Sequence, residues 1–201
     1  YRPQDFSALI GQEPMVRTLK NAFETGRIAQ AWMLTGVRGV GKTTTARILA
    51  RALNYESDTV KQPTVDLSVE GVHCRAIMEG RHVDVIEMDA ASHTGVDNMR
   101  ELLGQVAYRP TDARYKVYII DEVHMLSGGA FNAMLKTLEE PPPHVKFIFA
   151  TTEIRKVPIT VLSRCQRFDL RRVEASVLSA HLQAIAGKEN VSIDDASLAM
   201  I

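Results

Sequence analysis

Neither sign of charge is in surplus in this sequence: 24 lysines and arginines stand against 24 aspartates and glutamates in 201 residues. A chain without net charge has no global pull toward nucleic acid, so any such contact must be local or built by several subunits together. Cysteine is scarce as well. Two residues, Cys74 and Cys165, are too few for a disulfide framework and suit a reducing cytoplasm. No run of about eighteen apolar residues occurs, which excludes a membrane-spanning helix. The first residues, Tyr1 to Asp5, do not form a signal peptide. The last, Ser197 to Ile201, lie in a helical pattern without a cap, so the sequence is expected to be a piece of a longer chain. The length allows one domain, or one domain and part of another.

What is present centres on Gly36-Val37-Arg38-Gly39-Val40-Gly41-Lys42-Thr43. This stretch follows a short apolar run, Ala31 to Leu34, and opens into a helical pattern with Ala46, Leu49, Ala50 and Leu53 on one side. Strand, glycine-rich turn and helix start together are the context of a phosphate-binding loop. Glycines let successive backbone N–H groups converge on an anion, and the helix N-terminus adds its partial positive charge at the same point. Lys42 supplies a point charge for the outer phosphates, and the Thr43 hydroxyl suits the shell of a magnesium ion. The loop predicts a nucleoside triphosphate as ligand.

The rest of the chain alternates. Met15, Val16, Leu19, Ala22 and Phe23 share one helix face that Gly26 closes. Residues 57–70 are polar and irregular, an insertion or exposed loop. Val83 to Met88 reads as a second strand ending at Asp89, and Met99, Leu102, Leu103 and Val106 mark the next helix. Val117 to Ile120 is a continuously apolar third strand. Phe131, Met134, Leu135 and Leu138 form a helix stopped by Pro141-Pro142-Pro143. Phe147 to Ala150 is a fourth strand, Phe168 to Leu170 a fifth, and from Glu174 the pattern is purely helical. Alternating strands and helices predict a parallel α/β sheet with its chemistry at the strands' C-terminal ends.

Three groups stand at those ends. Asp121-Glu122 follows the third strand directly: one carboxylate to hold magnesium, its neighbour to polarise an attacking water. Thr151-Thr152 follows the fourth; a hydroxyl there reaches the γ-phosphate or the water, or else satisfies strand-end backbone groups. Ser163-Arg164-Cys165 precedes the fifth. Arg164 either projects into a neighbouring subunit's site to stabilise transition-state charge, or pairs at the surface with Asp169 or Glu174. Cys74, with His73 and His82 nearby, offers too few ligands for tetrahedral zinc and reads as a buried or semi-buried thiol.

In this order the pieces resemble the gamma/tau family of bacterial DNA polymerase III, the clamp-loader ATPases of the AAA+ class. The resemblance is carried by Tyr1-Arg2-Pro3, Ile10-Gly11-Gln12, the loop from Gly36 to Thr43, Asp89-Ala90-Ala91-Ser92, Ile120-Asp121-Glu122-Val123-His124-Met125, Leu135 to Pro142, Ala150-Thr151-Thr152 and Ser163-Arg164-Cys165. It implies a phosphate-loop NTPase domain over residues 1–171 with a five-stranded parallel sheet, then the start of a helical lid domain over 172–201. Lys42, Thr43, Thr44, Asp121 and Glu122 would bind and hydrolyse ATP with magnesium on Thr43 and Asp121. Thr152 matches a sensor position and Arg164 an arginine finger acting on the adjacent subunit. Arg2, Pro3, Ile10 and Gly11 would line the adenine pocket. Implied partners are delta and delta-prime subunits, further copies of the chain, a ring-shaped sliding clamp and primed DNA.

The sequence departs from the family in two places. A four-cysteine zinc module is usual within the region 57–82, but only Cys74 matches it, with Ser68 and Gly71 at other ligand positions, so zinc is not carried over. The helix after Ser92 normally presents basic residues to DNA, whereas His93 and Gly95 stand there and Arg100 remains; Ser92 and Arg100 are the candidate DNA-facing residues. Two other readings compete: a non-hydrolysing scaffold subunit of the same machine, and another AAA+ motor such as a branch-migration helicase. No three-carboxylate, two-metal nucleotidyl-transfer centre is recognisable, so a polymerase label would belong to the holoenzyme.

Overall fold

The computed structural model describes residues 2–194 and 197. Five strands, β1 (Ala31–Thr35), β2 (Val85–Asp89), β3 (Lys116–Asp121), β4 (Val145–Thr151) and β5 (Gln166–Asp169), form one sheet in the order β2-β3-β4-β1-β5. Every pairing is parallel. Every residue of β1 and β4 is buried, as expected of central strands covered on both faces. Six α-helices among the described residues flank or connect them, α1 (Glu13–Glu24), α2 (Lys42–Leu53), α3 (Cys74–Met78), α4 (Val96–Gly104), α5 (Gly128–Glu139) and α6 (Ile159–Leu162), and α7 (Ala175–Lys188) follows β5.

The two-residue period of a strand sorts the core into two layers. Trp32, Leu34, Val117, Ile119 and Ile148 face α1, α2 and α3, where Leu19, Ile48, Leu49, Leu53 and Ile77 meet them. Met33, Tyr118, Ile120, Phe147 and Phe149 face the other side and pack on Met99, Leu102, Phe131, Met134 and Leu138. Tyr118, Phe147 and Phe149 form a stacked column with centroids 5.4 and 5.7 Å apart. Fully burying each such side chain contributes roughly 1.5–3 kcal/mol, which is why the sheet can carry polar residues at one end. That end is aligned by register: Thr35 stands beside Thr151 and Asp169, and Asp89 beside Asp121.

Buried polar groups bind the segments between elements to this frame. Asp84 accepts the amides of Thr111, Asp112 and Ala113 at 2.7, 2.7 and 2.8 Å. Burial alone would raise its pKa, but these amide hydrogen bonds outweigh that and hold it below the ordinary carboxylate value. Arg114 donates to the carbonyls of Leu53 and Tyr55, satisfying acceptors that the end of α2 leaves open.

Several boundaries differ from expectation. β2 starts at Val85, because Val83 is 58% exposed. β5 runs over Gln166–Asp169 rather than 168–170; its mixed burial follows from its place at the sheet edge. The stretch 57–70 is not simply an exposed loop: Leu67 is buried in it, and Arg51 donates to the Leu67 carbonyl at 2.9 Å. After it comes α3, which buries Cys74, Ile77 and Met78 and went unforeseen because five residues are too few to show a period. α7 has no buried residue, and the uncapped end expected at 197–201 falls, apart from Ser197, outside the described residues. Among the described residues no helix is long and apolar enough to cross a membrane.

Candidate active site

The glycine-rich turn leaves β1 and enters α2 in the position the sequence predicts. Gly36 has φ +152°, and a Cβ there would stand 2.8 Å from the Leu170 carbonyl oxygen, so only glycine lets the loop pass β5 at this distance. Gly41 is left-handed at φ +95° and begins α2 with no capping side chain. α5 differs: the Ser127 hydroxyl accepts the Ala130 amide at its start. The uncapped amides and dipole of α2 therefore form the anion-seeking end of the site. Val37 and Arg38 are exposed and Val40 and Thr44 are half-buried. Lys42, 6% exposed, donates to the carbonyls of Gly36 and Val37 at 3.0 and 3.1 Å, which folds the ammonium back into its own loop.

The strand ends converge on this loop. The Thr43 hydroxyl donates to Asp121 Oδ2 at 2.5 Å, and Asp121 Oδ1 accepts the Glu122 amide at 2.9 Å. Glu122 adopts φ 47°, ψ 44°, a left-handed conformation that costs a residue with a Cβ about 1 kcal/mol or more. Its Oε2 accepts the Thr152 hydroxyl at 2.9 Å. Thr151 takes the other role considered for this pair, accepting the Glu153 amide at 3.0 Å. Lys42, Thr43, Asp121, Glu122 and Thr152 thus lie together, as the parallel topology requires.

Other predicted residues lie elsewhere. Arg164 donates to Glu139 Oε1 at 2.7 Å and to the Thr160 carbonyl at 2.5 Å. Neither surface partner expected for it is used; Asp169 is held by Arg167 at 2.6 Å. Glu139 ends α5 just before β4 begins, so Arg164 sits at the strands' N-terminal end, opposite its own phosphate loop. Arg2 and Gly11 are exposed, Pro3 and Ile10 half-buried. No hydrogen bond among the described residues joins these four to the loop. Gln12 is the buried polar residue of that segment, donating to the Arg171 carbonyl at 3.2 Å. Ser92 is exposed, and Arg100 is exposed beside Asp97 at 3.3 Å. Cys74 is buried, with its sulfur accepting the Gly71 amide at 3.2 Å, and a Cβ on Gly71 would meet the Glu56 carbonyl at 2.6 Å. His73 and His82 face each other at 2.9 Å.

Sequence reasoning missed Gln12 as a polar anchor and His124 as part of the site. The His124 side chain is 5% exposed, with Nδ1 2.9 Å from Thr151 Oγ1 and 3.3 Å from Glu122 Oε2. The signal was a histidine three places after Asp121, in the turn leaving β3.

Magnesium suits this donor set. Thr43 and Asp121 present hard oxygens beside a loop built for phosphate, as that ion requires, and they are the residues that would hold it.

The family model described as "DNA polymerase III, delta subunit" matches residues 11–174. The chain is 46% identical over 201 residues to DNA polymerase III subunit tau of Bacillus subtilis, covering all of this chain and 35% of that protein. It is 46% identical to subunit tau of Escherichia coli over 203 residues, 31% of that protein. Subunit gamma of Buchnera aphidicola is 46% identical over 201 residues, 55% of its length. The chain therefore spans about a third to just over half of these relatives. Among solved structures, the Thermotoga maritima RuvB Holliday junction branch migration motor superposes with a TM-score of 0.67 at 20% identity, over 99% of this chain and 58% of that one. A DNA polymerase III gamma subunit-related protein from the same organism gives 0.54 at 19% identity, over 86% and 52%. At these identities the structures speak to the α/β fold alone. The chain belongs to the DNA polymerase III, delta subunit, family, and tau and gamma subunits of DNA polymerase III match it along its whole length.

Proposed function

We propose that this chain is the ATP-binding core of a tau/gamma-type clamp-loader subunit, which uses ATP binding and hydrolysis to place a sliding clamp on primed DNA. The observation that carries it is the hydrogen bond from Thr43 on the phosphate loop to Asp121 at the end of β3, with Glu122 held next to it by Thr152. In this reading the loop amides and Lys42 bind the phosphates, and Lys42 exchanges its loop carbonyls for phosphate oxygens. Glu122 orients the attacking water, and Thr152 links that carboxylate to the end of β4. Bound magnesium would supply charge neutralisation on the phosphates from Thr43 and Asp121. Arg2, Pro3, Ile10 and Gly11 face the adenine, and Ser92 and Arg100 face DNA.

Arg164 completes the site of an adjacent copy, which its distance from its own loop supports. Division into a nucleotide-binding domain over 1–171 and a lid beginning at 172 belongs to the same reading, as do delta and delta-prime partners and a cytoplasmic setting. ATP would favour the assembled, clamp-open state, and hydrolysis would remove that bias.

The test is ATP turnover by the full chain with delta-type partners, with and without sliding clamp and primed DNA. Turnover that rises only with both present supports the proposal, and turnover indifferent to both refutes it in favour of another AAA+ motor. No turnover at all would indicate a scaffold. Lys42→Ala is expected to abolish ATP binding. Arg164→Ala is expected to bind ATP normally and lose hydrolysis in the assembly by a factor on the order of a thousand; unchanged hydrolysis would remove Arg164 from the site.

A further inference from the structure

Beside Glu122 lies a buried imidazole to which the scheme above gives no role. His124 belongs to the single turn Val123–Met125 after β3, and its side chain is 5% exposed. Nδ1 lies 2.9 Å from Thr151 Oγ1 and 3.3 Å from Glu122 Oε2, while Nε2 lies 3.6 Å from Glu153 Oε1. Both ring nitrogens face carboxylate oxygens, and the closer contacts are at Nδ1. A bare Nδ1 would aim its lone pair at a carboxylate oxygen; an Nδ1–H is attracted both to that oxygen and to the hydroxyl. Thr151 is itself fixed, since its hydroxyl oxygen accepts the Glu153 amide. The ring therefore bridges the end of β4 to the residue that follows β3.

The carboxylate is held unevenly. Oε2 has the Thr152 hydroxyl on one side and the imidazole on another, whereas no donor among the described residues reaches Oε1. A left-handed backbone at Glu122 persists only where its surroundings over-determine it, and these two contacts are such surroundings. Resting on the hydrolysis reading, the geometry points to His124 as a positioning residue for Glu122. Its Nδ1–H holds Oε2 against the end of β4 and leaves Oε1 for the attacking water. A shift of Thr151 and Thr152 on nucleotide binding is then passed to Glu122 through two contacts rather than one.

Three substitutions separate this role from simple packing. Asparagine places an amide donor near the Nδ1 position, glutamine places one near Nε2, and phenylalanine fills the ring volume with no donor. His124→Asn, His124→Gln and His124→Phe would be compared in the full chain, assembled with delta-type partners, clamp and primed DNA. The readouts are kcat, KM for ATP and the affinity for a fluorescent ATP analogue. His124→Phe and His124→Gln are expected to lose on the order of tenfold to a hundredfold in kcat, the cost of a misplaced catalytic group. KM and analogue affinity should stay within about twofold, because His124 does not touch the phosphate loop. His124→Asn should recover most of kcat. Wild-type kcat in the phenylalanine variant would overturn the assignment, as would retention by phenylalanine with loss by asparagine, or a loss confined to nucleotide affinity. If the wild-type assembly does not hydrolyse ATP, the hydrolysis reading fails by itself. The 15N shifts of the ring in the full chain then decide the contact: Nδ1–H is expected, and a bare Nδ1 overturns it.

Discussion

Lys146, the second residue of β4, allows a quantitative test of how this sheet is held. Its residue is 2% exposed, and its ammonium donates to the Ala29 carbonyl at 2.9 Å and Gln30 Oε1 at 3.1 Å, 5.0 Å from the Tyr115 ring centroid. No carboxylate among the described residues pairs with it. Burial pushes its pKa down from 10.5 to about 8, because the charged form is desolvated without a counter-ion. Below pH 8 both folded and unfolded chains hold the proton, and the fold bears the full penalty. Between pH 8 and 10.5 the folded chain releases the proton while the unfolded chain keeps it, so stability rises with pH. With one pKa unit equal to about 1.4 kcal/mol, the gain between pH 7 and 9.5 comes to about 2 kcal/mol. Urea unfolding of the wild type and Lys146→Met at half-unit steps across that range would isolate this residue from the others that titrate. The free-energy difference between the two proteins should shift by about 2 kcal/mol toward the wild type as pH rises. A difference that stays constant would show that the ammonium keeps its ordinary pKa in the fold, and the burial argument would fail.

Two further perturbations test the frame behind the site. The Tyr118 hydroxyl is buried without a hydrogen-bond partner among the described residues, and burial raises its pKa to about 12. Tyr118→Phe should therefore be neutral or stabilising by up to about 1 kcal/mol in thermal unfolding, and should remove a loss of stability between pH 10 and 12; a cost above about 1 kcal/mol would reveal a partner. Asp84→Ala leaves the amides of Thr111, Asp112 and Ala113 without their acceptor, and is expected to cost on the order of 3 kcal/mol or more in denaturant unfolding. Because the folded pKa of Asp84 is depressed, the wild type keeps this contribution above the unfolded carboxylate pKa near 4 and loses it as pH falls through the folded value, whereas the variant has none to lose.

The elements of this protein are written in local patterns, and those are legible without coordinates. Continuous apolar runs in β1, β3 and β4, helical spacing in α1, α4 and α5, and glycines at Gly36 and Gly41 each depend on neighbours a few residues away. Parallel order follows from alternation, and it alone predicts that Asp121 and Thr152 meet the phosphate loop. The sequence by itself therefore determined the fold class and the placement of the glycine-rich loop between β1 and α2. Pairings between residues far apart in the chain were decided only by the tertiary structure. Arg164 turns to Glu139, 25 positions earlier, instead of Asp169 or Glu174, because α6, which precedes it, packs against α5, which Glu139 ends. Residues 57–70 looked polar, yet Leu67 is buried, since the arginine and tyrosine that hold the backbone there lie on and just after α2. His124 belongs to the same class. Its neighbours in sequence say nothing of Thr151, 27 positions away, and only the left-handed turn at Glu122 and the end of β4 bring imidazole, hydroxyl and carboxylate together. A period describes one element's face, but contact between elements depends on packing, which no local pattern encodes.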